Sequence, residues 1–470
     1  MRHAVLALTA SLIALSAGSA FAQSPIRPDQ AKFRELYKEL VETNTTLSAG
    51  SCTLAAARLA ARMKAGGFTD AQLTPFAIPE KPKEGGLVAV LPGSDPKAKA
   101  ILLLAHIDVV EANRADWTRD PFTLIEEGGY FYARGASDDK AMAAIYTDAM
   151  IRLHAGPKLR RTVKLTLTCG EETNGAFNGA EWLAKNKRNL IDAEFALNEG
   201  GGGRLGSDGK PALLALQVSE KTSQNYTIEA RNPGGHSSMP RPDNAIYDIA
   251  RAIEKVAAYK FPVQIDETTQ AFFTKTATIS PAPLAAAMNA IAANPQDNAA
   301  EALLSRDPLL NSTMRTTCVV TLLGGGHAEN ALPQRASANV NCRIFPGDTI
   351  EGTAAKLAEV IANPGISITS KDRRGPPSRP APLVDKVVKP AEAVAAKYYP
   401  GLPVIPIMST GASDSIFLSA VGIPSYGVPG VMYQGDGGGI HGLNERIAVK
   451  SVYDGRDYLF DLIKLYAGAK

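Results

Sequence analysis

The sequence predicts an α/β protein: a mostly parallel sheet with helices on both faces, plus an inserted ferredoxin-like α+β domain. The first half of the chain alternates apolar runs of strand length with helical segments, an order typical of parallel sheets. The middle of the chain instead follows the β-α-β-β-α-β order of ferredoxin-like domains, and signals of the first kind resume after it. One domain is therefore expected inside another.

The first half opens with two predicted helices. The one at 31–41 is amphipathic and follows Pro28, and the one at 51–64 ends before a Gly-Gly pair. Apolar runs then predict strands of the main sheet, with helices between several of them. We expect strands at 87–91, 101–105, 130–133, 163–168 and 195–197, and helices at 141–153 and 179–187.

The middle of the chain predicts the inserted domain. A long Ala- and Pro-rich stretch interrupts it, and a Pro-rich linker at 375–380 follows it. We expect strands at 224–230, 317–323, 336–344 and 366–369, and helices at 244–258 and 349–361. The expected division is a cleaved segment at 1–22, a main domain made of 23–217 and 376–470, and an inserted domain at 218–375.

Composition excludes several classes of protein. The 470 residues are 45% hydrophobic and 21% charged, which disfavours disorder and supplies cores for two or three domains. Lysine and arginine together number 50 against 47 acidic residues, a formal charge of +3. This charge gives no electrostatic case for a nucleic-acid or membrane-surface partner.

The N-terminus has the pattern of a secretory signal. Arg2 and His3 precede an apolar run at 4–15, and Ala20-Phe21-Ala22 precedes Gln23. A transmembrane anchor is the alternative, but the run is well short of the roughly 20 residues of a span. We expect a secreted chain that starts near Gln23, has no membrane partner after cleavage and is periplasmic in a Gram-negative source.

The four cysteines lack the paired short spacings of a structural zinc site and are too few for a disulfide scaffold. Cys318 and Cys342 lie on two predicted neighbouring strands. An antiparallel pairing centred on residue 330 places them opposite each other, so a disulfide is one alternative in an oxidising compartment. Buried free thiols are the expected state.

His106 ends the predicted strand at 101–105 and is followed by Asp108. Residues i and i+2 of a strand point to the same side. Asp108 is thus placed to hold one imidazole nitrogen while the other binds a metal. For this pair alone, a histidine hydrogen-bonded at a strand end is the simpler interpretation.

Acidic residues recur where predicted strands end or helices begin. They are Asp138, Asp139, Glu171, Glu172 and Glu199. Singly, each is explained by helix capping or by a solvated loop. Together with His106 and the distant His441 they are expected at the carboxyl ends of a parallel sheet, where α/β proteins bind ligands. Histidines and carboxylates without cysteine suit zinc in a catalytic site.

Seven segments, in this order and spacing, carry a specific resemblance that covers nearly all of the mature chain. They are Ala105-His106-Ile107-Asp108, the run at 134–140, Gly170-Glu171-Glu172, Glu199, the run at 234–238, Asn330-Ala331-Leu332-Pro333 and His441-Gly442. The chain resembles the co-catalytic two-zinc metallopeptidases, peptidase family M20, which include carboxypeptidase G, succinyl-diaminopimelate desuccinylase, aminoacylase and carboxypeptidase S. The run at 117–122 and the long stretch at 261–315 look most like the carboxypeptidase S branch.

The resemblance implies two zinc ions, with Co²⁺ or Mn²⁺ as substitutes. Carried over by position, five residues would be the ligands: Asp138 as the bridge, His106 and Glu199 on one ion, and Glu172 and His441 on the other. Asp138 rather than Asp139 is the bridge when counted from Arg134-Gly135, and a strained, cis peptide is implied after it.

The resemblance also implies roles around the metals. Glu171 would be the general base, Asp108 would orient His106, and His236 of the inserted domain would donate to the oxyanion. The inserted domain would be a lid and dimerisation domain, which implies a homodimer that shares His236 across the interface. His154 and His327 are expected to have no role in the site.

The implied substrate is a small peptide or an N-acyl amino acid. Arg343 would contact its free carboxylate, aided by Asn330 and by backbone near Gly411. Relatives with Glu at the position of Glu199 tend to be carboxypeptidases and deacylases, which favours cleavage next to a free C-terminal carboxylate. The alternatives are an aminopeptidase or dipeptidase of the same family and a catalytically silent binding protein. A dinuclear phosphoesterase is a further alternative, but the sequence has no basic phosphate-binding cluster near the acidic residues.

Overall fold

A computed structural model of the chain describes residues 26–173, 176–371 and 375–468. The predicted signal at 1–22 lies outside the described residues. Within those ranges, none of the helices combines the length and the apolar character needed to cross a bilayer.

Helices and strands alternate along most of the chain. The helices are α1 (Pro28–Val41), α2 (Cys52–Ala65), α3 (Lys140–His154), α4 (Gly179–Asn186), α5 (Arg188–Ile191), α6 (Ala245–Ala258), α7 (Glu267–Ala277), α8 (Ala282–Ala293), α9 (Asn298–Leu304), α10 (Pro308–Thr313), α11 (Ile350–Ile361), α12 (Asp385–Tyr398), α13 (Ser415–Ala420) and α14 (Val449–Ala467). The strands are β1 (Leu73–Ile78), β2 (Lys81–Leu91), β3 (Ile101–His106), β4 (Ile125–Glu127), β5 (Tyr130–Tyr132), β6 (Val163–Thr168), β7 (Phe195–Asn198), β8 (Gly202–Leu205), β9 (Pro211–Glu220), β10 (Thr222–Arg231), β11 (Gly235–His236), β12 (Thr317–Gly325), β13 (Ala331–Leu332), β14 (Arg335–Ile344), β15 (Ile366–Ser370), β16 (Val404–Ser409), β17 (Ser425–Gly427), β18 (Met432–Tyr433) and β19 (Arg446–Ala448).

The main sheet has the order β1-β2-β6-β3-β7-β17-β9-β8-β18, and β16 pairs with β9. Its centre is parallel, since β3 runs parallel to both β6 and β7. Alternate residues of β3 enter two different cores. Leu103 packs in the core that includes α1, α2, α3, α12 and α14, and Leu102 packs in the core that includes α4 and α13. Helices on both faces of a mostly parallel sheet are therefore confirmed.

The second sheet has the order β12-β14-β10-β15 and is antiparallel throughout. Helices α6 and α11 pack on it around a separate core. This order of strands and helices confirms the ferredoxin-like α+β prediction. The expectation of free thiols at Cys318 and Cys342 is wrong: the two residues are paired in register on β12 and β14 and form a disulfide. Directly opposed strand positions bring the two sulfur atoms into bonding range.

Two segments differ from the sequence-based expectations. The run at 130–133 does not join the main sheet, because β5 pairs antiparallel with β4 and β19 in a small separate sheet. The stretch at 261–315 folds into α7–α10, and its core includes Ile405 of β16. This helical segment packs on the main sheet, although by sequence it interrupts the ferredoxin-like unit.

Candidate metal centre and active site

Three neighbouring strands of the main sheet deliver the candidate ligands. His106 is the last residue of β3 and pairs with Thr168 at the end of β6, so Glu171 and Glu172 follow at the same edge. Strand β7 lies on the other side of β3 and leads into Glu199. Because these strands are parallel, their carboxyl ends meet at one edge of the sheet.

Asp138 lies at the centre of the cluster. Its Oδ1 atom is 3.2 Å from Nε2 of His106, and its Oδ2 atom is 3.2 Å from Nε2 of His441. One carboxylate thus faces two imidazoles from opposite ends of the chain. The peptide between Asp138 and Asp139 is cis, as the resemblance implies.

Each histidine has a second carboxylate beside it. Nε2 of His441 lies 2.8 Å from an oxygen of Glu172, and Nε2 of His106 lies 3.8 Å from an oxygen of Glu199. His441 adopts a left-handed backbone conformation, with φ of 59°, in the loop that follows a run of three glycines. The five predicted ligands therefore converge.

The donor set fits divalent metal ions. Ligand atoms of His106, Asp138 and Glu172 lie within 4.8 Å of one another, and so do those of His106, Glu171 and Glu199. Imidazole and carboxylate donors without thiolates match the preference of zinc in catalytic sites. Asp138 presents one oxygen to each histidine, which is the arrangement of a bridging ligand.

Electrostatics favours a cation at this place. Burial raises the pKa of Glu199, and the nearby carboxylates of Glu171 and Asp138 raise it further. Burial alone would raise the pKa of Asp138. The hydrogen bonds and charges of His106 and His441 have the larger effect, so the pKa of Asp138 is lowered. Hydrogen bonds to Asp138 and Glu172 raise the pKa of His441 to about 10. Without metal, protonated histidines therefore supply the positive charge that these carboxylates require.

Asp108 contacts both His106 and the turn that carries Glu172. The backbone carbonyl of Asp108 lies 3.1 Å from Nδ1 of His106, closer than its carboxylate at 3.6 Å. The carboxylate also accepts a hydrogen bond of 3.0 Å from the backbone N–H of Glu172. Asp108 thus fixes the ring of one ligand and the backbone of another.

Sequence reasoning gave no role to Glu445, which is 1% exposed. One of its oxygens accepts hydrogen bonds from Nη1 of Arg134 at 2.7 Å and from the N–H of Gly135 at 2.9 Å. The other accepts from the N–H groups of Ser137 at 2.8 Å and Asp138 at 3.1 Å. Glu445 therefore holds the loop that ends at the central carboxylate.

Arg134 extends this support to the loop of His441. Its Nη2 donates to the carbonyl of Gly442 at 2.8 Å, and the ring of Trp117 lies 5.1 Å from its guanidinium carbon. One buried ion pair thus ties together the loops that carry Asp138 and His441. The only sequence signal was that Glu445 lies four residues after His441, just beyond the His441-Gly442 segment of the resemblance.

A cavity of about 530 Å³ opens beside the cluster. Asp138, Asp139 and Glu199 lie in its wall, with residues of β9, β16, α7 and α10. Within the described part of the chain, its lining does not include His236, Asn330, Arg343 or Gly411. The sequence analysis did not predict that the 261–315 stretch would line a cavity beside the candidate ligands.

The remaining predicted residues lie on the ferredoxin-like unit or after β16. His236 and Asn330 are exposed and adjacent, since the N–H of Ser237 donates to the carbonyl of Asn330 at 3.0 Å. The backbone N–H of Ser238 donates to Nδ1 of His236, which leaves Nε2 as the ring's donor. Gly411 follows β16, and its N–H donates to Ser409 Oγ at 3.0 Å.

Arg343 lies on β14 and is partly buried. Burial lowers the pKa of Arg343, and no carboxylate within the described ranges counters this effect. The neighbouring Lys221 is buried, and burial followed by repulsion from Arg343 and Arg315 lowers its pKa to about 7. Cationic groups thus repel one another around Arg343, and this repulsion favours an anionic group beside it.

A second disulfide, Cys52–Cys169, joins the start of α2 to the residue two before Glu171. Both sulfur atoms lie within 4.8 Å of a carboxylate oxygen of Asp108. Sequence reasoning missed this pair because its members are separated by 117 positions.

Comparison with known proteins agrees with this geometry. The model of Peptidase family M20/M25/M40 matches residues 102–465. The human N-fatty-acyl-amino acid synthase/hydrolase PM20D1 is 28% identical over 406 residues, which cover 83% of this chain and 79% of the human one. A probable carboxypeptidase S-like 2 of Dictyostelium discoideum is 28% identical over 390 residues, which cover 79% of this chain and 72% of that one.

A solved structure supports the fold. The M20-family metallo-carboxypeptidase Sso-CP2 of Sulfolobus solfataricus superposes with a TM-score of 0.69 at 21% identity, over 93% of this chain and 99% of that chain. The family match covers well over half of the sequence and includes all five candidate metal ligands. The chain therefore belongs to peptidase family M20/M25/M40 and is a metal-dependent hydrolase of the peptidase or amidase type.

Proposed function

We propose that this chain hydrolyses the amide bond next to a free C-terminal carboxylate, in a peptide or an N-acyl amino acid, and that it uses two zinc ions. The observation that carries the proposal is the placement of Asp138, whose two oxygens face the imidazoles of His106 and His441. Glu199 then completes one metal position and Glu172 the other.

Two zinc ions, when bound, lower the pKa of a water molecule and polarise the amide carbonyl. Glu171, within 4.8 Å of ligand atoms of His106 and Glu199, accepts a proton from the water on a carboxylate oxygen. The resulting hydroxide attacks the carbonyl carbon, and Glu171 passes the proton to the leaving nitrogen as the C–N bond breaks. His236, with Nε2 as its donor, stabilises the charge that develops on the carbonyl oxygen.

Arg343 is the proposed contact for the substrate carboxylate. A planar guanidinium donates two parallel hydrogen bonds to a carboxylate, and the partly buried charge of Arg343, whose pKa is lowered by burial alone, favours that partner. The relatives' names fit this choice, because an N-acyl amino acid and a carboxypeptidase substrate both carry a free carboxylate beside the cleaved amide.

The test is a panel of N-acyl amino acids and dipeptides, each also supplied with its carboxylate amidated. Chelation should abolish hydrolysis and zinc should restore it. Amidation should lower kcat/KM by at least roughly tenfold, and Arg343→Ala should cause a similar loss on the free acid with little further loss on the amide. Arg335→Ala is the matched control, since Arg335 lies on the same strand but is exposed and paired with Glu229.

Two results would redirect the proposal. A preference for amidated substrates, or a requirement for a free α-amino group, would establish an aminopeptidase or dipeptidase instead. Metal binding without hydrolysis of any substrate would leave a binding protein.

Glu171→Gln should keep both metals and lose turnover, whereas Glu172→Gln should lose metal.

Two further features of the chain support export and self-association. Two disulfides are the pattern of an oxidising compartment, which supports a secreted protein.

Strand β12 is the edge of its sheet and exposes Val319, Leu322 and Leu323 by 58%, 66% and 70%. A second copy that extends the sheet there would pair the open backbone and cover these side chains. Light scattering should show a dimer that Leu323→Lys dissociates and that exposed Leu465→Lys does not.

A further inference from the structure

A buried polar network lies behind Glu199, between the metal cluster and the start of the ferredoxin-like unit. It contains Gln217 and Glu220 of β9, Ser413 in the loop before α13, and Asn198 at the end of β7, each at most 7% exposed. Glu220 is the last residue of β9, just before the chain crosses into β10. The network thus adjoins one candidate metal ligand without containing it.

A bulge in β9 makes the first contact of this network possible. Residues three apart on a regular strand point to opposite faces. The pairing of β9 with β16 skips Val218, and this extra residue turns Gln217 and Glu220 to the same side. Nε2 of Gln217 donates to Oε2 of Glu220 at 3.4 Å.

The residue before Glu199 belongs to the same network. Nδ2 of Asn198 donates to Oγ of Ser413 at 3.4 Å and to Oγ of Ser415 at 3.0 Å. Oγ of Ser413 in turn donates to Oε2 of Glu220 at 2.8 Å. The end of β7 is therefore tied to the end of β9 through a serine hydroxyl and a carboxylate.

The residue after Glu199 packs against the other end of the network. Gly200 has a φ of 91°, and a Cβ at this position would collide with the amide of Gln217, so the amide lies directly on the glycine backbone. Oε1 of Gln217 is buried there and has no hydrogen-bond partner within the described ranges. Because an unpartnered buried oxygen lowers stability, stability alone gives no reason for an amide at this position.

We propose that Gln217 is a positioning residue for Glu199: its amide, held by Glu220, fixes the backbone that carries this candidate metal ligand. The inference rests on the proposed metal-dependent hydrolysis, in which Glu199 completes the metal position of His106. Removal of a group that supports a metal ligand typically weakens metal binding by about 10–100-fold. Gln217 should therefore act on the metal position of Glu199 and not on the second position.

The test measures zinc affinity with one metal position removed at a time. Glu172→Gln leaves the position of Glu199, and Glu199→Gln leaves that of Glu172. Gln217→Met, which fills the space but cannot bond to Glu220, should weaken zinc binding by about tenfold or more in the first background and leave it unchanged in the second. Gln224→Met is the matched control, because Gln224 is also buried with an unpartnered Oε1 but lies on β10. It should change neither affinity.

Hydrogen exchange gives a second readout that needs neither metal nor turnover. In metal-free protein, Gln217→Met should speed amide exchange in the segment 198–203 relative to the wild type, and Gln224→Met should not. If Gln217→Met does not fold, Gln217→Asn serves both measurements, because its shorter side chain withdraws the amide from Gly200.

The outcomes separate this inference from the proposed function. Equal weakening of zinc binding in the two backgrounds, or no weakening in either, overturns the positioning role and leaves amide hydrolysis intact. A wild type that binds no metal and hydrolyses no amide overturns the proposed function. The exchange measurement then still decides the role of Gln217, since unchanged exchange in the segment 198–203 refutes it.

Discussion

Glu445→Gln is the substitution that most directly tests how the metal loops are held. The change conserves shape but removes the charge from a side chain that accepts four hydrogen bonds. A glutamine amide keeps only one accepting oxygen. In one orientation the NH2 group takes the place of Oε2 and faces the donors Arg134 Nη1 and Gly135 N–H. In the other orientation the NH2 group takes the place of Oε1 and faces the N–H groups of Ser137 and Asp138.

Either orientation therefore sets donors against donors. Two hydrogen bonds to a charged group are lost, each worth about 1.5–3 kcal/mol, and Arg134 loses its carboxylate partner in the interior. Breaking a buried ion pair by removing one partner costs about 3–5 kcal/mol. The lost hydrogen bonds belong to this same contact, so their free energies are part of that cost and are not added to it. We expect the free energy of unfolding to fall by about 3–5 kcal/mol.

The assay is urea unfolding of metal-free protein, followed by tryptophan fluorescence. Trp117 is a suitable probe because its ring contacts Arg134. Metal titration with a competing chelator should also show weaker binding, since the loops of Asp138 and His441 lose their shared support. Glu359→Gln, on an exposed pair with Lys356, is the control and should change stability by less than about 1 kcal/mol. A loss for Glu445→Gln no larger than this control would refute the reasoning.

Three more predictions follow from buried or shared groups. Burial raises the pKa of Glu220 from 4.5 to about 8, so the protein should lose stability as pH rises through that interval. Glu220→Gln should therefore have a higher Tm than the wild type near about pH 9, with the difference vanishing near about pH 4; a constant offset would contradict the shift. Replacing both Cys52 and Cys169 by serine should lower stability by about 2–5 kcal/mol in urea unfolding, because the bond closes a long loop; an unchanged midpoint would show that it contributes nothing. Mixing inactive His236→Ala and Glu171→Ala chains should restore part of the activity if subunits share the site, and no recovery after proven subunit exchange would indicate self-contained subunits.

Local patterns were sufficient to predict where two of the candidate ligands lie. His106 and Glu199 were predicted at the ends of apolar runs, and the structure places them at the carboxyl ends of β3 and β7. This worked because a buried parallel strand requires a continuous apolar run, and the residue after that run must lie at the ligand-binding edge. The resemblance then gave the distant His441 its expected place beside Asp138, which is 303 positions earlier in the chain.

The sequence by itself determined the fold class, the ferredoxin-like insertion and the residues that converge at the candidate metal centre. Only the tertiary structure decided what surrounds that centre: the Glu445–Arg134 pair, the Cys52–Cys169 bond, and the packing of α7–α10 on β16. The physical reason is separation along the chain. Periodicity and turn signals act over a few residues, whereas Glu445 and Arg134 are 311 positions apart and meet only once the main sheet and its helices have packed.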